Sequence, residues 1–410
     1  MKSSPILILS MLLLLIGIVL SLESIKTEYI SLYNFGYGNV ATPPQNWQYY
    51  YWAVLSGGLP NASVFFDNKT VELTEVSNFT LPYTTHFVYI ISGYIQPYAF
   101  LSPLSFFMIL SGTLIGFKGT TLFFQERILG KDLIKGYAVG GSIRKYVLKR
   151  LTSAIISLGI VSAIVILLEY FHGANVIKAT TSLLELNPGI SEHFDVSVNT
   201  LILTSLAYTS LLLGISFSLT IYLSAFLVVY SLENKRLLSI INKWKYIGSA
   251  LASWVFSIII IYLLHFFTNL LPYGTPKGGN ILPYLIMPIL SLFFPYIGIF
   301  ANKVLSSIPK PDFSYKGLNE KVTIYRHVLG NITVLMLSIM SSAFVEMLVA
   351  ELLVEGIFLW PGFGELLKIG VFYGDYKIVE TSMLTYSTIA VLSNFFADVT
   401  YGFLDPRVTR

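Results

Sequence analysis

The chain has no cysteine and little charge. Zero cysteines among 410 residues exclude disulfides, thiolate metal sites and cysteine nucleophiles. Charged residues make up only 12% of the chain and hydrophobic residues 54%, whereas a soluble chain of this length would need more polar surface. Zinc-protease, P-loop and nucleophile-elbow patterns are missing, and the five histidines are scattered without metal-ligand spacing. The composition points towards a membrane protein.

About eight apolar runs are long enough to cross a bilayer, which takes roughly 20 residues of helix. Backbone polar groups in lipid must be satisfied within the segment, so we expect helices rather than open strands. The predicted spans are 5–22, 98–116, 151–170, 200–230, 247–270, 281–301, 332–354 and 382–403. The predicted fold class is therefore an all-α polytopic membrane protein.

The positions of Lys and Arg predict the orientation of these spans. When the N-terminus is placed inside and the spans alternate, most of the 26 basic residues fall on inner segments, as the positive-inside rule requires. This predicts a multi-pass protein of the cell membrane with both termini in the cytoplasm. Basic residues beside membrane spans also explain the net charge of +4, so nucleic acid is not implied.

The N-terminal third divides into three predicted segments. Residues 1–22 are predicted to be a transmembrane anchor, with a cleaved signal peptide as the alternative. Residues 23–97 are expected to form a small extracellular domain, with short strands where apolar and polar residues alternate at 62–73. Residues 98–140 are predicted to hold a second transmembrane helix and a cytoplasmic linker. Three sequons cluster in the outer segment and predict glycosylation at Asn61, Asn68 and Asn78.

A long polar loop lies between the sixth and seventh predicted spans. Gly317 permits backbone angles that other residues resist, so two short helices could meet there at a sharp angle and dock a partner. The spacing G-L-x-E-(x5)-R-H resembles the cytoplasmic coupling loop of ABC importer permeases of the dipeptide/oligopeptide type. The residues that this resemblance assigns to ATPase coupling are Lys316, Gly317, Leu318, Glu320, Arg326 and His327.

The resemblance extends over residues 141–410. This part has a basic leader, six spans, a V-E-x-x-F-x-W-P-G-x-G segment over 354–364, Asp375, Asp398 and a terminal L-D-P-R. It implies a six-helix permease core with a coupling loop at about 309–331, preceded by two extra helices. Pro309 and Pro311 stand where the family has an Ala/Arg-rich helix, which predicts a shorter first arm of the coupling element.

As the resemblance implies, the chain would be the permease subunit of an ATP-driven importer of peptides or oligosaccharides that works by alternating access. It would perform no bond chemistry and hold no cofactor, because ATP would bind to two partner ATPase subunits. The other implied partners are a second permease subunit, in a heterodimer, an extracellular substrate-binding protein and the lipid bilayer.

Several polar groups on the last two spans are candidate functional residues. Intramembrane carboxylates are costly and usually face a bundle interior or an aqueous path, so Glu346, Glu351 and Glu355 either line the translocation path or act structurally. Glu351 and Glu355 share a helix face by their i,i+4 spacing, and Glu346 is offset from it. Asp398 is predicted to be a structural hydrogen-bond or ion-pair partner.

The helix is expected to break at Trp360, Pro361 and Gly362, giving an outer re-entrant segment. This segment would serve as a gate or receptor contact, or else as an interfacial aromatic anchor. Two other functions remain open. A proton-coupled secondary transporter would predict an inverted repeat, which we do not see. A membrane-anchored surface receptor would leave the coupling-loop pattern unexplained.

Overall fold

The computed structural model describes residues 3–45, 47–49, 60–129, 143–173, 175, 177, 180–181, 187–276, 281–307 and 329–404. The predicted coupling loop, with all six of its assigned residues from Lys316 to His327, lies outside these described residues.

Helices dominate the described chain. Their bounds are α1 Ser3–Ser24, α2 Ser102–Leu129, α3 Ile143–Phe171, α4 Val198–Glu233, α5 Lys235–Ala250, α6 Ser253–Ile260, α7 Leu282–Ser307, α8 Leu329–Phe358, α9 Phe363–Tyr373 and α10 Tyr376–Leu404. The strands are β1 Glu28–Ala41, β2 Asn61–Phe66, β3 Lys69–Leu73 and β4 Phe79–Ile95. The helical content agrees with the predicted class.

Several of these helices can cross a membrane. Among the described residues, five helices are long and apolar enough to cross a membrane, judged by length and composition only. They are α1, α2, α3, α4 and α7. The α5–α6 pair would make a sixth span if it counts as one. Helices α8 and α10 also have the length to cross, at 30 and 29 residues.

The predicted span 247–270 differs from the structure, because it is not one straight helix. Helices α5 and α6 meet at a bend of 89°, and α6 continues as a π-helix over Ile261–Phe267. Helix α5 is amphipathic and packs along α7, where the amide of Asn302 donates to Asn242 (2.9 Å). The sequence prediction joined the end of this amphipathic helix to the apolar helix that follows it.

Residues 23–97, predicted to lie outside, contain a four-stranded antiparallel sheet in the order β1-β4-β2-β3. Strands β2 and β3 confirm the short strands that were predicted from the alternation at 62–73. A two-residue turn joins them. Asp67 and Asn68 in that turn have φ of 46° and 58°, as the favoured hairpin turns require. One sheet face is buried around Tyr89 and Ile91, whereas the other exposes aromatic side chains. The long strands β1 and β4 were not predicted.

Helices α1 and α2 pack closely together and against α4. Gly112 and Gly116 form a G-x-x-x-G pattern that lets two helix backbones approach. A Cβ on Gly112 would lie 2.9 Å from the backbone nitrogen of Leu14, so no larger residue fits without a shift. The hydroxyl of Ser21 donates to Ser105 (3.0 Å) at one end of the same interface. The two N-terminal helices are therefore part of the helix bundle.

Helices α3 and α10 run antiparallel and are joined near both ends. Arg150 forms an ion pair with Asp398 (3.3 Å), and Nδ1 of His172 lies 3.5 Å from the Glu380 carboxylate. The first contact gives Asp398 the structural pairing that was predicted for it.

Candidate functional site

The three acids of α8 have different surroundings. Glu346 is half-exposed and pairs with Lys303 of α7, with 2.6 Å between Nζ and Oε1. Glu351 and Glu355 are both fully buried, so the predicted shared face is the one that packs into the protein. Neither oxygen of Glu351 has a hydrogen-bond partner of normal geometry among the described residues. Glu355, one turn later, is fully hydrogen-bonded.

Glu355 joins α4 to the start of α9. Its Oε1 accepts from the Thr209 hydroxyl (2.8 Å), and its Oε2 accepts from the backbone N–H of Gly364 (2.7 Å). The Thr209 oxygen in turn accepts from the backbone N–H of Phe363 (2.9 Å). Two N–H groups of the first turn of α9, which have no partner within the helix, are thereby satisfied by side-chain oxygens. The carboxylate holds the helix end in place.

The glycines of the W-P-G-x-G segment fit around this carboxylate. A Cβ on Gly362 would collide with the carboxylate of Glu355, and a Cβ on Gly364 would collide with the carbonyl oxygen of Leu352. Only hydrogen at these two positions permits the approach. The segment is therefore folded back tightly against the end of α8.

Helix α8 ends in a left-handed residue. Leu359 has φ of 54°, and the N–H of Trp360 returns to the carbonyl of Glu355 (3.0 Å), as in a Schellman cap. Glycine normally occupies this position, so leucine holds it at a cost in backbone strain. The strained residue begins the predicted re-entrant segment, which we define as residues 359–373.

Side chains of the loop after α6 cover the last carbonyl groups of α8. The hydroxyl of Tyr273 donates to the carbonyl of Ile357 (3.0 Å), and that of Thr275 donates to Leu359 (3.2 Å). Burial raises the pKa of Tyr273, and nearby Glu365 raises it further, so the phenol remains a neutral donor. These bonds satisfy carbonyls that a helix end leaves open.

Trp360 is enclosed by protein, with 1% of its surface exposed. Its indole N–H donates to the backbone carbonyl of Tyr208 (3.2 Å), and the two rings meet edge to face at 5.5 Å. The ring therefore packs inside the bundle, between α4 and the re-entrant segment.

Asp375 holds the start of α10. It is buried and accepts from the Ser191 hydroxyl (2.6 Å), from the N–H of His193 (3.1 Å) and from the N–H of Ile378 (3.3 Å). The last bond is an N-cap of α10. The same carboxylate thus fixes the connection before α4, which contains Ser191 and His193, to the end of the re-entrant segment.

The structure brings some of the predicted site residues together and keeps others apart. Glu355 and the Trp360-Pro361-Gly362 turn form one hydrogen-bonded unit, while Glu346 lies apart on another face of α8. Sequence reasoning missed Thr209 and Tyr208, which follow the start of an apolar span and carry no motif. Within the described ranges, no group of three or more His, Cys, Asp or Glu residues could hold a metal ion.

The part of the chain that contains α8, the re-entrant segment and α10 matches a known protein family. The sequence profile of the binding-protein-dependent transport system inner membrane component matches residues 223–410. Over these residues the chain is similar to the permease components that the family describes. The coupling loop, the three α8 acids and the re-entrant segment all lie inside it, whereas Tyr208 and Thr209 lie just before it. The proteins that this family describes are transport permeases, which are not enzymes.

Individual proteins that are similar to this chain agree with the family match. The oligopeptide transport system permease protein OppB of Haemophilus influenzae is 26% identical over 227 residues, covering 53% of this chain and 74% of the relative. OppB of Escherichia coli K12 is 27% identical over 231 residues, with the same two coverages of 53% and 74%. The dipeptide transport system permease protein DppB of Alkalihalophilus pseudofirmus is 30% identical over 152 residues, covering 35% of this chain and 46% of the relative.

Proposed function

We propose that this chain is a membrane-spanning subunit of an ATP-driven peptide importer. The observation that carries the proposal is the permease domain over 223–410, whose outer motif is folded around Glu355. Peptide is chosen as the substrate class because the similar OppB and DppB proteins are named as oligopeptide and dipeptide permeases. The complete importer would add two ATPase subunits, a second permease subunit and an extracellular substrate-binding protein.

The packing supports an arrangement with both termini in the cytoplasm and the sheet outside. The Ser21–Ser105 bond places the end of α1 beside the start of α2, so these helices run antiparallel and leave the sheet on one side. The Arg150–Asp398 pair places the C-terminal end of α10 at the basic start of α3. Basic residues predict the cytoplasmic side at that end.

ATP-driven motion would enter through the coupling loop at about 309–331. Charged groups at a membrane face can pair with a partner and fix its docking position. In this proposal Lys316, Gly317, Leu318, Glu320, Arg326 and His327 make that contact. Closure of the ATPases would then rock α7 and α8, which flank the loop.

The α8 acids would have separate tasks in alternating access. Glu355 holds the re-entrant segment closed on the outer side, as its hydrogen bonds to Thr209 and Gly364 support. Glu351 is the path candidate, since a fully buried acid without a hydrogen bond of normal geometry in the described chain is costly, and acids within membrane spans commonly mark functional sites. Glu346, paired with Lys303, would lie at the cytoplasmic half of the path.

The proposal is tested by purifying the chain with its co-purifying subunits and reconstituting the complex in proteoliposomes. Uptake of a labelled dipeptide, a labelled oligopeptide and a labelled oligosaccharide is measured with and without ATP on the ATPase side. We expect ATP-dependent uptake of peptide. Uptake of oligosaccharide alone would overturn the substrate class, and uptake driven by a proton gradient without ATP would overturn the importer.

Two variants test the coupling loop, with membrane insertion as the control. Gly317→Val and Glu320→Lys should lower ATP-dependent uptake and co-purification of the ATPases while leaving membrane insertion unchanged. Glu351→Gln should change uptake per assembled complex if it lies on the path. Uptake at the parent level in both coupling-loop variants would contradict the assignment of the loop, and unchanged normalised uptake in Glu351→Gln would exclude that residue.

A further inference from the structure

A chain of hydrogen bonds connects the outer sheet to the re-entrant segment. Gln96 follows directly after β4 and is fully buried, and its Nε2 donates to the hydroxyl oxygen of Tyr208 in α4 (3.0 Å). The carbonyl of Tyr208 accepts from the indole of Trp360, whose ring packs against the Tyr208 ring. One residue of α4 therefore contacts both the end of the sheet and the start of the re-entrant segment.

Thr209, the next residue of α4, holds the other end of the turn that begins at Trp360. The Thr209 oxygen accepts from the N–H of Phe363 and its hydroxyl donates to Glu355. Trp360 and Phe363, three positions apart, are thus fastened to consecutive residues of one helix. The turn between them has its position set by α4 as well as by α8.

Ser210, the following residue, connects α4 to the N-terminal helices α1 and α2. The Ser210 hydroxyl lies 3.3 Å from that of Ser21 in α1 and 3.4 Å from that of Ser105 in α2. Successive helical residues point about 100° apart, so positions 208, 209 and 210 can reach three different neighbours. These neighbours are the sheet connection, the α8 carboxylate and the α1–α2 pair.

We propose that Gln96 and Tyr208 are positioning residues through which the N-terminal third of the chain sets the outer re-entrant segment. Both precede the matched permease domain, which starts at residue 223. The N-terminal third is therefore a structural support of the re-entrant segment and not a separate appended module. The consequence for transport rests on the proposed function, whereas the positioning itself does not.

The test measures amide hydrogen exchange of peptides that cover the re-entrant segment, in the purified full chain with any co-purifying subunits. Gln96→Leu removes the donor, and Tyr208→Phe removes the hydroxyl but keeps the ring and the carbonyl that accepts from Trp360. A neutral hydrogen bond of this kind corresponds to about a two- to tenfold change in the equilibrium for local opening. We expect exchange over residues 359–373 to be faster by that factor in each variant.

The double variant supplies an internal check. Both substitutions break the same bond, so Gln96→Leu combined with Tyr208→Phe should increase exchange no more than either single change. Additive effects would mean that the two residues act separately and would overturn the proposal. If Gln96→Leu fails to fold, Tyr208→Phe alone still decides, because it deletes one oxygen atom.

Tyr222 provides the matched control on the same helix. It lies in α4 beside Gly116 of α2 and makes a side-chain hydrogen bond with Ser10 of α1, several turns away from the re-entrant segment. Tyr222→Phe should leave exchange over 359–373 at the parent level. An equal increase in Tyr222→Phe would show general loosening of the N-terminal helices, and no increase in Tyr208→Phe would show no positioning; either result overturns the proposal.

Transport is measured in parallel to separate this inference from the proposed function. In the positioning variants we expect an altered maximal rate of peptide uptake per assembled complex, with a matching change in exchange. Faster exchange in a protein whose parent form takes up no peptide would support the positioning and refute the importer. Parent-level exchange in a complex that takes up peptide would refute the positioning alone.

Discussion

Gly364 offers a sharp test of how the re-entrant segment is held. It is the second residue of α9, and a Cβ added there would collide with the carbonyl oxygen of Leu352 and lie 2.9 Å from the Cβ of Glu355. Replacing Gly364 by Ala must therefore push α9 away from the end of α8. The shift would also lengthen the 2.7 Å bond from the Gly364 N–H to Glu355.

The expected cost follows from three contributions. Forcing an extra methyl group into a tight contact costs about 1–3 kcal/mol. Loss of the hydrogen bond to a buried carboxyl group costs roughly another 1 kcal/mol, and more if the group is ionised. The better helix propensity of Ala offsets about 1 kcal/mol of this loss in stability. We expect Gly364→Ala to destabilise the protein by about 2 kcal/mol net.

Gly356→Ala is the matched control. Gly356 lies in α8, about one turn before the left-handed cap at Leu359. Its added Cβ would be 3.8 Å from the carbonyl oxygen of Gly364 and 3.9 Å from Cδ of Lys368. These are ordinary van der Waals contacts. The control should therefore gain up to about 1 kcal/mol from helix propensity. The same chemical change is thus expected to have opposite signs at two neighbouring glycines.

The measurement is thermal unfolding of both purified variants beside the parent, at one heating rate because membrane proteins commonly unfold irreversibly. About 2 kcal/mol should lower the midpoint of Gly364→Ala by a few degrees, while Gly356→Ala stays level or rises. Uptake per assembled complex should fall in Gly364→Ala only. Equal midpoints for the two variants would refute the close fit and, with it, the account of Glu355 as the residue that holds α9.

Three further predictions concern other parts of the chain. Leu359→Gly should stabilise the protein by about 1 kcal/mol in thermal unfolding, since it relieves a left-handed leucine, whereas Leu353→Gly inside α8 should destabilise it by about as much. Gly112→Leu should separate α1 from α2 and lower the yield of folded protein, whereas Gly159→Leu in α3 should not, because nothing lies within 4 Å of its Cβ. Expression in a glycosylating host should give a form whose gel mobility changes when three exposed residues are replaced together: Asn61, Asn68 and Asn78.

Each of these predictions has a result that would contradict it. A Leu359→Gly variant less stable than the parent would mean that the left-handed cap carries no strain. Equal yields for the two glycine variants would argue against a close α1–α2 contact. For glycosylation, a mobility shift that persists after the triple replacement but disappears with Asn331→Gln would place the modified face on the other side of the membrane.

The strands show where local pattern stops being informative. Short strands at 62–73 were predicted because apolar and polar residues alternate there, and the structure pairs them as a hairpin through Asp67 and Asn68. Strands β1 and β4 are 14 and 17 residues long, yet they were missed. Their partners are far apart in sequence, with Glu28 opposite Ile95, and a bulge near Gly38 interrupts the alternation. Pairing over that separation leaves no local signal.

The bend between α5 and α6 has a similar explanation. The apolar run 247–270 satisfies the length of a membrane span, and length was the signal that the prediction used. The structure ends α5 at Ala250 and turns the chain by 89°, because the face of α5 that carries Asn242 packs along α7. Which neighbour a helix packs against is a tertiary fact that the run length does not contain.

The sequence by itself determined the membrane class, the number of long helices to within the broken span, the family resemblance and the shared face of Glu351 and Glu355. These follow from composition, run length, motif order and the 3.6-residue period, all of which are local. The tertiary structure alone decided what that face contacts. Glu355 bonds to Thr209, 146 positions away, and Trp360 bonds to Tyr208, 152 positions away. Neither partner belongs to a motif, because a hydroxyl or a backbone carbonyl becomes specific only when the fold places it within hydrogen-bond distance.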